Sequence, residues 1–144
     1  MRVYVVIDTN VLVAAMLTRH KDSSTNRIIN AVTNLKITPL YHKDIIKEYR
    51  EVLSRDKFCF DPDDVNRMID VITSYGTSTN REPSDEVFTD QDDAVFYEVA
   101  LSKEGAYLVT GNLKHFPKKP IVVTPSEMIQ ILEDNGLIEK EDLP

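Results

Sequence analysis

Cysteine is nearly absent from this 144-residue chain. Cys59 stands alone, so no internal disulfide and no cysteine-based zinc site can form, and a reducing, cytoplasmic setting is expected. Long apolar runs are missing too. The longest near the start, residues 3–7 and 11–17, are interrupted by Asp8-Thr9-Asn10 and are too short for a membrane span or a signal segment. Glycine occurs only four times and no low-complexity stretch or repeat appears, so no internal domain boundary is visible. Residues 1–144 therefore read as one domain, with 42% hydrophobic and 28% charged residues, ordinary figures for a single globular core.

Basic residues are also in short supply. Seventeen Lys and Arg against 24 Asp and Glu give a net charge of −7, which disfavours binding a polyanion by bulk charge. The imbalance is uneven. Residues 133–144 form an acidic tail with five acids and one base, the composition of a solvated helix end or a disordered segment. The remaining 132 residues carry 19 acids and 16 bases.

What is present is an alternation of two patterns. Residues 3–7, 106–109 and 121–123 are unbroken β-branched or aromatic runs, expected of strands buried on both faces of a parallel sheet. Residues 36–41 make a further strand, although Pro39 argues against a central place for it. Between them lie helices at 11–17, 27–32, 42–54, about 61–75, about 90–103 and 125–136. Several carry terminal signals: Asp61-Pro62, Asp90, and the capping box Thr124-Pro125-Ser126-Glu127. The expected fold is a three-layer α/β/α sandwich around a mainly parallel sheet. Residues 77–89, polar and containing Pro83, read as its most mobile loop.

In an open parallel sheet, ligands bind beyond the carboxyl ends of the strands. There the chain places Ile7-Asp8-Thr9-Asn10, Val109-Thr110-Gly111-Asn112, and Asp92 and Asp93 at a helix start. Asp8, Asp92, Asp93 and Asn112 should converge. Glu48 lies inside a helix. With Ile45 at zero, the apolar stripe centres near about 40°, Glu48 falls at about 300° and Glu51 at about 240°. Glu48 thus flanks the buried stripe and Glu51 faces solvent. Carboxylates crowded on one edge repel one another unless a cation sits among them. Mg²⁺ or Mn²⁺ is the natural choice, and the expected chemistry is phosphodiester hydrolysis by a metal-activated water.

These segments resemble the motifs of PIN-domain proteins. Val5-Val6-Ile7-Asp8-Thr9-Asn10-Val11-Leu12 resembles their opening motif, and Glu48 before Tyr49-Arg50-Glu51-Val52-Leu53 their helical acid. Asp90-Gln91-Asp92-Asp93-Ala94-Val95-Phe96 and the run from Gly105 to Asn112 resemble the third and fourth motifs. The resemblance covers nearly the whole chain. It implies a metal-dependent endoribonuclease of the branch that supplies toxin components of toxin–antitoxin pairs (VapC-like), with RNA as substrate, a protein antitoxin as partner and a homodimer as assembly. It also implies Asp8, Glu48 and Asp93 as catalytic metal-binding acids, Asp92 and Asn112 as supporting ligands, and Mg²⁺ or Mn²⁺ as cofactor. Asn112 departs from the pattern, since many members carry aspartate there and an amide brings no charge.

Each residue also has a purely structural role open to it. Asp8 can cap a helix, Asp93 can complete a capping box with Asp90, Asp92 can favour the helix dipole, Glu48 can be a solvated flank residue, and Asn112 can shape a turn. Lys114 and His115, close behind Asn112, are candidates for contacting RNA phosphate, as are Lys118 and Lys119. Lys43, Lys47 and Arg50 share a basic face of the Glu48 helix that reads first as solvated. A non-cleaving PIN-like module that binds RNA or protein is the alternative function. An aspartyl-phosphate receiver or phosphatase fits less well, because Asp8 has no acidic neighbour and no lysine follows the last strand.

Overall fold

The computed structural model describes residues 2–18 and 20–140. Five parallel strands form one sheet in the order β3-β2-β1-β4-β5. They are β1 (Tyr4–Ile7), β2 (Thr38–Tyr41), β3 (Thr77–Ser78), β4 (Tyr107–Val109) and β5 (Val122–Val123). Among the described residues, six α-helices flank the sheet, giving the expected three-layer α/β/α arrangement: α1 (Thr9–Leu17), α2 (Ser24–Thr33), α3 (Lys43–Leu53), α4 (Pro62–Tyr75), α5 (Gln91–Leu101) and α6 (Pro125–Asp134). None of the described helices is long and apolar enough to cross a membrane.

The local signals act as the sequence suggests. Ser23, Asp61 and Asp90 accept hydrogen bonds from first-turn amides of α2, α4 and α5, and Thr124 and Glu127 form both halves of the capping box that opens α6. The central strands β1 and β4 are buried because helices cover both faces of a parallel sheet. Val5, Val6, Ile7, Leu108 and Val109 are wholly inaccessible, and they lie in one hydrophobic core with residues from all six helices.

One expectation is corrected. β2 is interior despite Pro39. Thr38 donates its N–H to Val3 on the β1 side (2.8 Å), so by alternation the proline's missing donor falls on the other side, ahead of the point where two-residue β3 begins to pair at Leu40. Gly76 makes that approach: a Cβ there would lie 2.3 Å from the Ile72 carbonyl oxygen and 2.5 Å from that of Pro39.

The segment expected to be the most mobile loop begins as β3 and is anchored near its start and at its far end, with Val87 94% exposed between. Thr79 accepts a hydrogen bond from Ser102 (3.0 Å), Arg81 bridges Asp44 and Glu98, the Glu82 N–H reaches the Glu98 carbonyl (3.0 Å), and Phe88 is buried against Tyr97 and Phe116.

The described part of the acidic tail is the mostly exposed helix end that its composition suggests. Glu133 and Asp134 are the last turn of α6, and Gly136 takes a positive φ of 70°. The chain then turns back, so that Leu137 and Ile138 pack on the core and Arg27 bonds both Glu133 and the Glu139 carbonyl. Residues 141–144 of the tail lie outside the described residues.

Candidate functional site

β1 and β4 are adjacent and in register, Ile7 opposite Val109, so the residues that follow them, Asp8 and Thr110, meet at the carboxyl edge of the sheet. Asp8 is 6% exposed and caps α1, one carboxylate oxygen accepting from the Thr9 N–H (2.8 Å) and the other from the Thr110 hydroxyl (2.7 Å). Thr110, fully buried, also accepts from the Asn112 N–H (3.0 Å) and the Asn10 amide (3.4 Å), while Asn10 accepts from the Gly111 N–H (3.0 Å). The β1–α1 and β4 turns are thereby tied together around one carboxylate. The neighbouring Thr9 hydroxyl is buried and meets no hydrogen-bond partner among the described residues.

Tyr49 fixes the third element. Wholly buried in α3, it donates its hydroxyl to the Ile7 carbonyl (2.5 Å) and packs against Phe96 of α5, ring centres 6.0 Å apart. Burial and the Asp8 charge push the Tyr49 pKa upward, which keeps the hydroxyl a donor. The preceding residue, Glu48, is half-buried on the flank of the stripe, and Glu51 is exposed, as the helical period requires. Asp93 lies in the first turn of α5. Its carboxylate is not used to cap the helix, because the Asp90 side chain accepts from the Asp92 N–H and no capping box forms. Instead Asp93 faces His115 Nδ1 at 3.4 Å, and His115 Nε2 meets the Asn112 amide at 3.0 Å.

Electrostatics link these groups. The Asp93 pKa is pushed up to about 6, first by burial and next by the charge of Asp8, with His115 opposing and Asp90 and Asp92 adding to the rise. Burial also raises Asp8, against the hydrogen bonds from Thr110 and Thr9. Burial followed by the charges of Asp92 and Glu51 raises Glu48. The structure thus brings Asp8, Asp93, His115 and Asn112 together on one side, and places Glu48 within the field of exposed Asp92 and of Asp90 on the other. Lys114 is exposed and shares with Asp93, His115, Val87 and Phe116 the wall of an open cavity of about 330 Å³.

The PIN domain family matches residues 4–114, more than three quarters of the chain. The chain belongs to the PIN domain family. Such domains are generally nucleases. No curated protein matches the chain.

PIN domains usually use a divalent cation. The donor chemistry suits one: carboxylate oxygens, partly buried, with Asp93 raised in part by the charge of Asp8 and Glu48 in part by that of Asp92, against the opposing charges of His115 and Arg55. The spacing is open. Among the described residues, no three His, Cys, Asp or Glu side chains stand close enough to enclose an ion. That is compatible with Mg²⁺-like ions, which keep several waters and are held through one or two carboxylates plus substrate phosphate.

Two residues of this PIN domain escaped the sequence reading as parts of the site. Thr110 had a signal, being the first residue past β4 as Asp8 is past β1. Tyr49 read only as part of an apolar stripe.

Proposed function

We propose that this PIN domain is a metal-dependent endoribonuclease. The observation that carries the reading is the pair of Asp8, at the carboxyl end of β1, and Asp93, in the first turn of α5, with Asp93 raised to about 6 by burial and the Asp8 charge against the opposing His115. Asp8, Glu48 and Asp93 would hold Mg²⁺ or Mn²⁺, with Asp92 and Asn112 in support. A divalent cation bound there supplies an acidified water and charge neutralisation at the phosphate.

The chain's own groups set the rest. Thr9 and Thr110 fix the orientation of the Asp8 carboxylate, Tyr49 holds the Glu48 helix against the end of β1, and above about pH 6 Asp93 is ionised and able to act as a ligand. Lys114 and His115 border the same cavity and are placed to meet an RNA phosphate. We extend the reading to the toxin member of a toxin–antitoxin pair, a cytoplasmic homodimer held by a protein antitoxin. Its support is the resemblance of the motifs to the VapC-like branch.

The test is incubation of the purified protein with mixed structured and unstructured RNA in Mn²⁺ or Mg²⁺, beside an EDTA control and an Asp8→Asn variant. The expected result is cleavage lost with EDTA and reduced more than about 100-fold by Asp8→Asn, beyond the usual cost of losing an outer partner alone. Asn112 and the open spacing of the acids favour one second reading, a PIN module that binds RNA or protein without cutting it. Intact RNA in every lane, with Mn²⁺ shown to bind, would support that second reading.

A further inference from the structure

Beside the acidic edge the turn after β4 walls a second cavity, of about 330 Å³, with the apolar side chains of Leu113, Phe116, Pro117 and Val122. Three lysines, Lys114, Lys118 and Lys119, complete its lining. We infer that this cavity receives an unpaired base of a single-stranded RNA whose phosphates lie on Lys114 and Lys118, so that the turn selects single strands and leads them to the acids. The inference rests on RNA being the ligand in the reading above, and it adds a place for a base where that reading has contacts to phosphate alone.

Continuity with the candidate site carries the argument. Lys114, Phe116 and Pro117 wall both this cavity and the one that contains Asp93 and His115, so the two hollows are the two sides of one ridge. Leu113 lines only the first and His115 only the second, because residues two apart on a 3-10 turn point in different directions. A strand that has one phosphate beside Asp93 and crosses Lys114 meets the apolar cavity next.

The walls suit a base. Leu113 is 43% exposed, whereas Phe116 is buried and backed edge-on by Phe88, so the floor is fixed before a ligand arrives and the rim is apolar. The faces of a base can enter such a space only when they are unstacked, since in a duplex they lie against their neighbours and only the edges show in the grooves. An apolar cavity flanked by lysines therefore discriminates by strandedness more than by sequence.

The local charge suits a polyanion although the chain as a whole does not. No acid occurs between Glu104 and Glu127. Lys114 and Lys118 are exposed and, among the described residues, in no ion pair, and Lys119 has only Glu86, at 3.7 Å. An acidic peptide would satisfy these lysines but would be repelled where the ridge passes to Asp90 and Asp93. A phosphodiester meets there the cation that the acids would hold.

The test uses the full chain and a short fluorescent single-stranded RNA of mixed sequence. Binding is read by anisotropy in Ca²⁺, which takes oxygen ligands as Mg²⁺ does, with the strand's integrity checked on a gel. The single strand should bind at least about tenfold more tightly than a duplex of the same length. Leu113→Ser should weaken the single strand about fivefold or more, the lower end of the loss of one base contact, and leave an abasic strand of the same length unaffected. Lys118→Ala should weaken both strands and reduce the slope of log affinity against log salt by about 0.7, one phosphate contact to a single strand. Strands carrying 4-thiouridine, irradiated on the native chain, should crosslink within residues 113–122, which locates the base even if a variant folds poorly.

Equal affinity for duplex and single strand, crosslinks confined to other segments, or no RNA binding at all overturns the inference. So does Leu113→Ser weakening the abasic strand as much as the complete one. A change in the sedimentation of the protein alone on Leu113→Ser would make the cavity a contact between copies, and displacement of the strand by a leucine-containing acidic peptide at lower concentration than by unlabelled RNA would make it a peptide site; either overturns the inference. RNA cleaved in Mn²⁺ alongside any of these results leaves the nuclease reading standing. RNA held in the cavity but left intact in Mn²⁺ supports the base site and overturns the nuclease reading in favour of a binding module.

Discussion

Helices α3 and α5 each contribute acids to two clusters, and the chain treats the clusters oppositely. In one, Asp44 of α3 and Glu98 of α5 share Arg81, whose guanidinium lies 2.8 Å from Asp44 and 3.0 Å from Glu98. Asp44 is held below the usual aspartate range, chiefly by that hydrogen bond. In the other, Asp93 of α5 lies in the field of Asp8 at the edge of the sheet and Glu48 of α3 stands apart in the field of Asp92 and Asp90; His115 opposes Asp93 and Arg55 opposes Glu48, yet all three acids are raised first by burial. The same two helices can therefore carry neutralised acids. Where burial outweighs the opposing charges, as it does for these three acids, the folded state bears a cost that an external cation would reduce. The contrast separates the acids that hold the fold together from those available for chemistry.

The largest effect should come from removing one charge on each side. In chelator at pH 7, Asp93→Asn should stabilise the protein by about 1 to 3 kcal/mol, whereas Asp44→Asn should destabilise it. The pH dependence follows with opposite signs. Asp93 has a folded pKa above its unfolded one, so the native state binds the extra proton and stability rises as pH falls from about 6 towards the ordinary aspartate range. Asp44 is lowered, so its contribution is present above that range and is lost as pH falls below it. Denaturant titrations of both variants and the native chain at pH 3, 5 and 7, in EDTA, would measure this. Two variants shifting in the same direction would contradict the contrast.

A smaller effect should follow from loosening Asp8. Thr110→Val keeps the side chain's shape but removes the hydroxyl that donates to Asp8 and accepts from Asn112. Stability should fall by about 1 to 2 kcal/mol, as for a buried hydrogen bond to a charged group, and the Asp8 pKa should rise further. Chemical denaturation gives the first number, and carboxyl carbon shifts in an NMR pH titration give the second. An unchanged Asp8 titration would show that Thr110 only packs.

How much of this was legible in the sequence depended on distance along the chain. The exposed Glu51 and half-buried Glu48 followed from the helical period, because α3 is rigid and its apolar stripe unambiguous. Asp8, Asp93 and the strand ends followed from the rule that parallel strands expose their carboxyl ends to ligand. The pairing of Asp8 with Thr110, 102 residues away, needed the register of β1 against β4. β3 consists of two exposed residues, carries no pattern of its own and exists only through Leu40 and Tyr41. The loop after it looked free because its anchors are remote, Asp44 lying 37 residues and Glu98 17 residues from Arg81. The contact of His115 with Asp93 depended on a 3-10 turn that three residues of sequence do not announce.

Arg81 offers the finest test of the contrast. Arg81→Met keeps the aliphatic stem while removing the guanidinium, so Asp44 would keep only a histidine, His42, within ion-pair distance, as Asp93 has only His115, among the described residues. Asp44 and Glu98 are more exposed than Asp8, with side chains 37% and 21% accessible, and water screens them, so the loss should be about 1 kcal/mol or less. The more telling readout is local. Arg81 joins the start of the loop to α3 and α5, and Phe88 pins its far end, so amide hydrogen exchange should quicken around Glu82 and change little around Phe88. Quickening along the whole segment would mean that the ion pair, and not the aromatic cluster, holds the loop beside the acidic edge.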